Sequence, residues 1–263
     1  MNMKNESILI VGCGYMAEEY LKVIKAIGNK AIIVGRGIER VNKLKSSFPE
    51  FQFYSGGLEY YLDNFSDIPH LAINTVNVEY LYSTTLLLIN AGIKKVLLEK
   101  PGALTIEELT KISNEGRDKD AELFIAYNRR FYSSVLELEK QVELDGGILS
   151  ANFEFTEWIH TIDSTQYDIN TLSRWVIANS SHVIDTFFYL IGMPESLECR
   201  VYGGHQISWH ASGSIFMGLG ISNKNIPFTY HSNWLSPGRW SIEILTRKRR
   251  FYLRPMEALN MQR

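Results

Sequence analysis

Three consecutive residues, Glu99, Lys100 and Pro101, place a carboxylate and an amine directly after a short apolar run. The run, residues 95–98, predicts a buried parallel strand, because a short apolar stretch bounded by a breaker is typical of such strands. Pro101 ends the strand, since proline has no backbone N–H to donate. Ligands of open α/β sheets bind at the carboxyl ends of the strands, and a partly desolvated lysine there can donate a proton or a hydrogen bond. The alternative is a solvent-exposed lysine in a strand-to-helix loop.

A glycine-rich turn near the start of the chain is the second candidate site. It follows a β-branched run, residues 8–11, and precedes a segment of helical spacing, residues 18–27. Its pattern, G-x-G-x-x-A, is a variant of the dinucleotide-binding fingerprint, in which the glycines allow a tight turn and a close approach of the backbone to a pyrophosphate. The N–H groups of the helix start bind the phosphates; a plain tight turn is the alternative. The predicted cofactor-binding residues here are Gly12, Gly14, Tyr15, Met16 and Ala17.

The end of the second predicted strand, residues 31–34, indicates which dinucleotide is bound. NAD-binding forms carry a carboxylate there that accepts the ribose hydroxyls, whereas this chain has Gly35-Arg36-Gly37. Arg36, with Arg40 one helical turn later, is suited to a 2′-phosphate, because guanidinium groups bind phosphate with two hydrogen bonds. The sequence therefore predicts NADP as cofactor, with NAD possible; two solvated arginines at a helix start are the alternative.

The strand-helix alternation continues through residue 126 and predicts a doubly wound parallel sheet. Thr105 and Glu108 form a predicted capping box at the start of the fifth helix. Thr75 and Asn77 follow the fourth strand and are expected on the nicotinamide side of the cofactor, although a loop with helix-capping residues is an equal alternative. The further strands are predicted at residues 52–54, 71–74 and 123–126, and the further helices at residues 58–62, 78–91 and 105–118.

Composition limits the classes of protein. The chain has 263 residues, 45% hydrophobic and 21% charged, which is globular composition for one or two domains. A net charge of -2 gives no reason to expect a nucleic-acid or anionic-membrane partner. Two distant cysteines, Cys13 and Cys199, fit a reducing compartment. Residues 1–7 are polar and lack the apolar core of a signal peptide, and no apolar stretch is of membrane-spanning length. We therefore expect a cytoplasmic protein with no membrane span and no metal site.

Several motifs in a fixed order resemble those of one family, the Gfo/Idh/MocA oxidoreductases. The resemblance implies an N-terminal Rossmann domain over residues 1–127 and a C-terminal α+β domain with a largely antiparallel sheet over residues 128–263. It also implies an NAD(P)-dependent enzyme acting on a sugar, sugar nucleotide, inositol or related polyol, and a homodimer or homotetramer formed through the exposed sheet face. The motifs are residues 8–17, Glu99-Lys100-Pro101, Ala126-Tyr127-Asn128-Arg129-Arg130-Phe131, and residues 181–185 ahead of residues 189–194.

The resemblance also assigns roles to individual residues. Lys100 corresponds to the family's substrate-contacting lysine, and His182 to the histidine of its catalytic helix, so both are expected to be catalytic and to touch substrate. Asn128 is expected to bind the cofactor together with Glu99 and Lys100, and Arg130 to bind the substrate.

The sequence departs from the family pattern in three places, and two of them, Ala178 and the early end of the chain, support a second hypothesis. Ala178 stands where the family has an aspartate, four residues before the histidine, and the usual proline and histidine of residues 76–80 are replaced. The chain ends at Arg263, earlier than typical members, which leaves open that the second domain is truncated. The alternative function is a catalytically weak or inactive NADP-binding homologue with a regulatory or structural role.

The second half of the sequence predicts a helix over residues 131–144 and a sheet. Residues 148–158 alternate, with Phe153 and Phe155 on one face and Asn152, Glu154 and Thr156 on the other, as in a half-buried strand. The tetrad at residues 247–250 is predicted as a solvated basic turn. Further strands are predicted at residues 197–202, 214–221, 227–232, 240–246 and 251–253.

Polar and aromatic residues of this half form a candidate substrate site. His182 begins a predicted buried helix, whose N-terminus disfavours the imidazolium, and Asp185 is placed to orient its ring. Trp158 and Trp175 flank a polar segment and offer the aromatic faces that a sugar site needs; an ordinary surface loop is the alternative. The strand aromatics Phe228, Tyr230 and Trp234 are expected either on an oligomer face or in the core.

Overall fold

A computed structural model describes residues 6–263 of the chain. The prediction that residues 1–7 form no signal peptide falls mainly on residues outside the described part. The chain divides into two compact units, of which the first ends at Ala126 and the second comprises Tyr127–Arg263.

Over residues 6–126 the first unit is a six-stranded parallel sheet with five helices. The strand order is β3-β2-β1-β4-β5-β6, so the chain winds outward from β1 in both directions, as a doubly wound sheet does. The strands are β1 Ser7–Val11, β2 Lys30–Gly35, β3 Gln52–Ser55, β4 Leu71–Asn74, β5 Lys95–Leu98 and β6 Glu122–Ile125. The helices are α1 Tyr15–Ile27, α2 Ile38–Ser47, α3 Leu58–Asn64, α4 Val78–Asn90 and α5 Ile106–Asp118.

The central strand β1 explains this architecture, because it is buried on both faces. Leu9 and Ile10 are both fully buried but belong to two different apolar clusters, one on each side of the sheet. Ile10 pairs in register with Ile33 of β2 and with Ile73 of β4. An uninterrupted apolar run is therefore needed here, as in other parallel sheets covered by helices on both faces.

The predicted cap of α5 is confirmed, with one difference. The Glu108 N–H donates to the Thr105 hydroxyl oxygen at 3.2 Å, as a capping box requires. The return bond, at 3.1 Å, joins the Glu108 carboxylate to the N–H of Leu104 instead of that of Thr105. Two donors of the helix start are satisfied either way.

The second unit is a seven-stranded sheet with three α-helices. The strand order is β13-β12-β11-β7-β10-β9-β8; only the β7–β10 pair is parallel. The fold class is therefore confirmed: a parallel Rossmann-like sheet is joined in the chain to a largely antiparallel one. The helices are α6 Ser133–Leu144, α7 Ile169–Ser173 and α8 Ser181–Ile191. The strands are β7 Ser150–Glu154, β8 Pro194–Tyr202, β9 Ile215–Ser222, β10 Pro227–Asn233, β11 Ser241–Leu245, β12 Arg250–Leu253 and β13 Leu259–Gln262.

The strand bounds and the burial in this unit correct one prediction and decide between two alternatives of another. The strand predicted at residues 148–158 ends at Glu154, so the predicted alternation of faces does not extend to Thr156. Thr156 is buried, and its hydroxyl oxygen accepts a hydrogen bond from the Asn233 N–H. Phe228 and Trp234 are core residues, with 2% and 1% exposure, and do not lie on an outer face. Strand β13 was not predicted, because its polar sequence carries no apolar alternation.

The basic tetrad lies in the β11–β12 hairpin, but its description as a solvated turn is wrong for Arg249. The Arg249 guanidinium donates to both carboxylate oxygens of Asp145, at 2.9 and 2.7 Å. Asp145 is buried, and its arginine partner lowers the pKa of its carboxyl group. This ion pair joins the end of α6 to the hairpin.

No helix within residues 6–263 is long and apolar enough to cross a membrane.

Candidate functional site

A cavity opens at the carboxyl edge of the parallel sheet, where β1, β2 and β4 end. Parallel strands present their carboxyl ends at one edge, so segments distant in the sequence meet there. The predicted residues that line the cavity are Gly12, Gly14, Arg36, Arg40, Thr75 and Asn77.

The two glycines of the turn have different local requirements. Gly12 has φ +115°, and a Cβ there would lie 2.6 Å from the Thr75 hydroxyl oxygen. Thr75 is itself fixed, because its N–H and its hydroxyl both donate to the Val11 carbonyl, at 2.8 and 2.9 Å. Gly14 has an ordinary φ of −92°, and a Cβ there would meet nothing within 4 Å. Gly12 is thus needed for the fold, whereas the absence of a side chain at Gly14 leaves space beside the backbone.

That space lies at the N-terminus of α1. Gly14 is the N-cap residue and has no side chain to accept a hydrogen bond from the first turn, so backbone donors remain for an anion. Within the described part of the chain, the side chains of Tyr15, Met16 and Ala17 do not line the cavity. Ala17 is fully buried among apolar residues, so its small side chain packs in the core of the unit. The residues present therefore fit a pyrophosphate at this turn.

Charged residues occupy the other end of the cavity. Arg36 follows β2, and its guanidinium lies over the ring of Tyr80, 4.4 Å from the ring centroid. Arg40 lies in the first turn of α2, and Glu59, in the first turn of α3, adds a carboxylate. Sequence reasoning missed Glu59. The signal was the strand order: β3 lies beside β2, so the helix after β3 begins at the edge where β2 ends.

Glu99 and Lys100 stand after β5, as predicted, but they do not line this cavity within residues 6–263. The Glu99 carboxylate accepts a 2.9 Å hydrogen bond from the Tyr20 hydroxyl and so ties α1 to the end of β5. Burial raises the pKa of the Glu99 carboxyl group and, with the nearby carboxylate, that of the Tyr20 hydroxyl. A cofactor role for Glu99 and a substrate role for Lys100 remain predictions.

In the second unit, Arg130 is engaged by an intramolecular partner. Asn128 and Arg130 lie in a short 3₁₀ turn, Asn128–Phe131. Arg130 Nε donates to one Asp185 oxygen at 2.7 Å and Nη2 donates to the other, which makes a bidentate pair. The sequence prediction gave Asp185 the task of orienting His182. Its carboxylate is instead the partner of Arg130.

The helix around His182 begins earlier than predicted. A π-helical turn, Val176–Ser180, leads directly into α8, and Ser180 has helical angles, φ −68° and ψ −12°. His182 is therefore not at a free helix N-terminus, and the predicted electrostatic effect of such a terminus on its ring does not apply. His182 is 9% exposed, and its ring centroid lies 6.0 Å from that of Tyr127 and 6.1 Å from that of Trp240.

A buried carboxylate, Glu157, lies beside this π-turn. One of its oxygens accepts hydrogen bonds from the Ser180 hydroxyl at 2.6 Å and from Trp240 Nε1 at 3.1 Å. The other accepts from Asn179 Nδ2 at 2.9 Å, with Arg239 Nη1 at 4.0 Å. Desolvation raises the pKa of Glu157, against the effect of these donors. Sequence reasoning gave Glu157 no role, because its donors come from residues 179–240.

A second cavity is lined by Glu157 and by Trp158 and Trp175, the two tryptophans predicted to bind the substrate. Trp158 Nε1 donates to the Gly238 carbonyl at 2.7 Å, and the Arg239 guanidinium covers its ring at 4.6 Å. Trp175 is 5% exposed, and its Nε1 has no hydrogen-bond partner within residues 6–263. His182 and Arg130 do not line this cavity among the described residues. The lining includes Glu157, Trp158, Tyr167, Trp175, Asn179 and Arg239.

Comparison with known proteins gives the family. Residues 7–127 match the Gfo/Idh/MocA family model, which is described as an oxidoreductase family with an NAD-binding Rossmann fold. The matched residues make up most of the first unit. The resemblance inferred from the sequence motifs is confirmed.

One curated relative and two solved dehydrogenase structures are similar to the chain. The relative is scyllo-inositol 2-dehydrogenase (NADP(+)) IolW of Bacillus subtilis (strain 168), 25% identical over 174 residues, which are 62% of this chain and 45% of IolW. The WlbA dehydrogenase of Bordetella pertussis, in complex with NADH and UDP-GlcNAcA, has a TM-score of 0.77 at 15% identity, over 96% of this chain and 75% of its own. Levoglucosan dehydrogenase, in complex with NADH and levoglucosan, also has a TM-score of 0.77, at 18% identity, over 98% and 76% of the two chains. The chain thus spans about half the length of the curated relative, and the two structures support the fold.

The family aspartate has no counterpart at Ala178, which is 8% exposed within the π-turn. The next two residues of that turn, Asn179 and Ser180, hold the Glu157 carboxylate. A carboxylate is therefore present beside the turn, supplied by the segment after β7.

Proposed function

We propose that this chain is an NAD(P)-dependent dehydrogenase that transfers a hydride between a nicotinamide and a hydroxyl-bearing or keto carbon of a sugar, sugar nucleotide or polyol. The observation that carries the proposal is the cavity of the first unit, where Gly14 keeps side-chain volume away from the start of α1. The activities named for IolW and levoglucosan dehydrogenase, and the sugar nucleotide bound to WlbA, support this substrate class.

The preferred cofactor in this proposal is NADP(H). Arg36 and Arg40 line the cavity, and β2 ends in Gly35 without a carboxylate. Two guanidinium groups favour a 2′-phosphate over a free hydroxyl. The NADP(+) in the name of IolW agrees with this preference, whereas the WlbA and levoglucosan dehydrogenase structures hold NADH.

The nicotinamide supplies the hydride. The chain must bind the cofactor and the substrate, orient them and move a proton. We assign the pyrophosphate to the backbone of Gly14, Tyr15 and Met16, and the nicotinamide side to Thr75 and Asn77. Lys100 donates a hydrogen bond to the reacting oxygen, and His182 relays its proton. Asn128 and Glu99 keep their proposed cofactor roles.

For the substrate, we propose that Trp158 and Trp175 supply aromatic faces and that the Trp175 indole N–H supplies a donor. Both line the second cavity, and a donor of this kind, 95% buried without a protein partner, is costly unless a ligand or water accepts it. Arg130 contributes only through the N–H groups that Asp185 does not take.

The first test is calorimetric titration with NADPH and NADH side by side. We expect NADPH to bind more tightly than NADH. The Arg36→Ala/Arg40→Ala variant should bind NADPH about 10- to 100-fold more weakly than the wild type does, whereas its NADH affinity should change less than about three-fold. Arg117→Ala, which removes an exposed arginine in the last turn of α5, is the matched control and should bind as the wild type does. Tighter binding of NADH would contradict the arginine assignment, and binding of neither would contradict the proposed function.

The second test concerns Lys100. We expect Lys100→Met to bind NADPH normally and to turn over about 100-fold more slowly, because a positioned donor contributes about that factor. Lys95→Met, at the exposed start of the same strand, is the matched control. Turnover is measured with a panel that includes scyllo-inositol and levoglucosan, and an unchanged rate would remove Lys100 from the mechanism.

A second candidate function is supported by Ala178. A homologue without the family aspartate is suited to binding NADP(H) with little turnover, as a regulatory or structural protein. Tight NADPH binding by the wild type without turnover on the panel would favour that function over the dehydrogenase.

A further inference from the structure

Opposite charges lie close together at the arginine end of the first cavity. Arg36 Cγ and Glu59 Oε2 lie 3.5 and 3.8 Å from the position that a Cβ on Gly57 would take. The stem of the arginine and the carboxylate therefore flank the same point, and both line the cavity.

The Arg36 guanidinium nevertheless does not pair with Glu59. It lies over the Tyr80 ring, at 4.4 Å from the centroid, and within the described part of the chain it makes no ion pair. Tyr80 comes from the first turn of α4, after β4, whereas Glu59 comes from α3, after β3. The two alternative partners of Arg36 thus belong to different elements at the same sheet edge.

The choice between these partners changes what the cavity offers a ligand. An arginine stacked on a ring keeps its charge and its edge N–H groups for an anion, because the ring contacts only the face of the guanidinium. An arginine paired with a carboxylate has its charge neutralised and two of its donors used.

We propose that Tyr80 is a positioning residue that sets the preference for NADP(H) over NAD(H) by holding the Arg36 guanidinium away from Glu59. Glu59 opposes this effect of Tyr80. When Glu59 is unpaired, its charge repels a 2′-phosphate, and when it pairs with Arg36, the guanidinium is no longer available to the phosphate. This inference rests on the proposed function, since it presupposes that the cavity takes the adenosine end of a dinucleotide.

The test compares Tyr80→Ala with Tyr80→Phe by titration of the full chain with NADPH and with NADH. We expect Tyr80→Ala to lower the ratio of NADPH affinity to NADH affinity about five-fold, which is the upper range for an exposed cation–π contact. Tyr80→Phe keeps the ring and should keep the ratio within about two-fold of wild type. NADH affinity serves as the internal control, because a general disturbance of the cavity would lower both affinities together.

Glu59→Gln provides the second arm. Alone it should raise NADPH affinity about two- to five-fold, and in Tyr80→Ala/Glu59→Gln it should restore most of the lost ratio, because the competing carboxylate is gone. An unchanged ratio in Tyr80→Ala, or no restoration in the double variant, would overturn the inference alone. A wild type that binds neither nucleotide would overturn it together with the proposed function.

Discussion

Replacing Gly14 by valine is expected to leave the protein folded and to weaken NADPH binding about 1,000-fold. The backbone at Gly14, φ −92° and ψ −170°, is open to any residue, and an added Cβ meets nothing within 4 Å. As an N-cap the glycine contributes at most about 1 kcal/mol over an apolar residue. The side chain would instead fill the space beside the first N–H groups of α1, and losing two hydrogen bonds to a charged phosphate accounts for about that factor.

Gly12→Ala is the matched contrast, because the same kind of change should act on folding. The positive φ of Gly12 and a Cβ 2.6 Å from the fixed Thr75 hydroxyl oxygen both oppose a side chain. We expect a loss of about 2–4 kcal/mol in the free energy of unfolding. Thermal unfolding and NADPH titration on the two variants separate the roles: NADPH binding by Gly14→Val within about ten-fold of wild type would mean that the cavity does not take a dinucleotide at this turn.

The parts of the fold that could be predicted from the sequence are those determined by residues close together in the chain. Residues 8–17 carry strand, turn and helix signals in a row, and the Thr105 cap needs only residues 104–108. The parallel, doubly wound character of the first sheet followed from strand-helix alternation, because parallel strands require crossover helices. These features depend on few contacts distant in the sequence.

The missed features depend on which distant segments become neighbours. Glu59 reaches the cavity only because β3 pairs with β2, and a weak third strand gave no reason to examine the helix after it. Glu157 becomes a buried carboxylate only through Ser180, Asn179 and Trp240. The start of α8 was misplaced because a π-turn has no distinct apolar period, so the helix that contains His182 looked as if it began there.

Removing the Glu157 carboxylate is expected to destabilise the second unit. Glu157→Leu leaves the Ser180 hydroxyl, Trp240 Nε1 and Asn179 Nδ2 without their acceptor in a buried site. Unsatisfied donors of this kind cost about 1–3 kcal/mol each before relaxation, so we expect a net loss of about 3 kcal/mol at pH 7. The matched control is Glu154→Gln, which removes the carboxylate of a more exposed ion pair with Arg254 and should cost less than about 1 kcal/mol. Chemical denaturation of the full chain measures both.

The pH dependence of this loss has a definite sign. Desolvation raises the pKa of Glu157 in the folded protein, so the folded state binds the proton more tightly than the unfolded state does. That contribution to stability is complete below the ordinary carboxyl pKa and disappears as pH rises through the folded-state pKa. The stability difference between wild type and Glu157→Gln, which does not titrate, should therefore be largest near pH 4 and decrease toward pH 7. A difference that grows with pH would show that the three donors and the charge of Arg239 outweigh desolvation. Glu157 would then be held as a carboxylate in the fold and not as a group able to take up a proton.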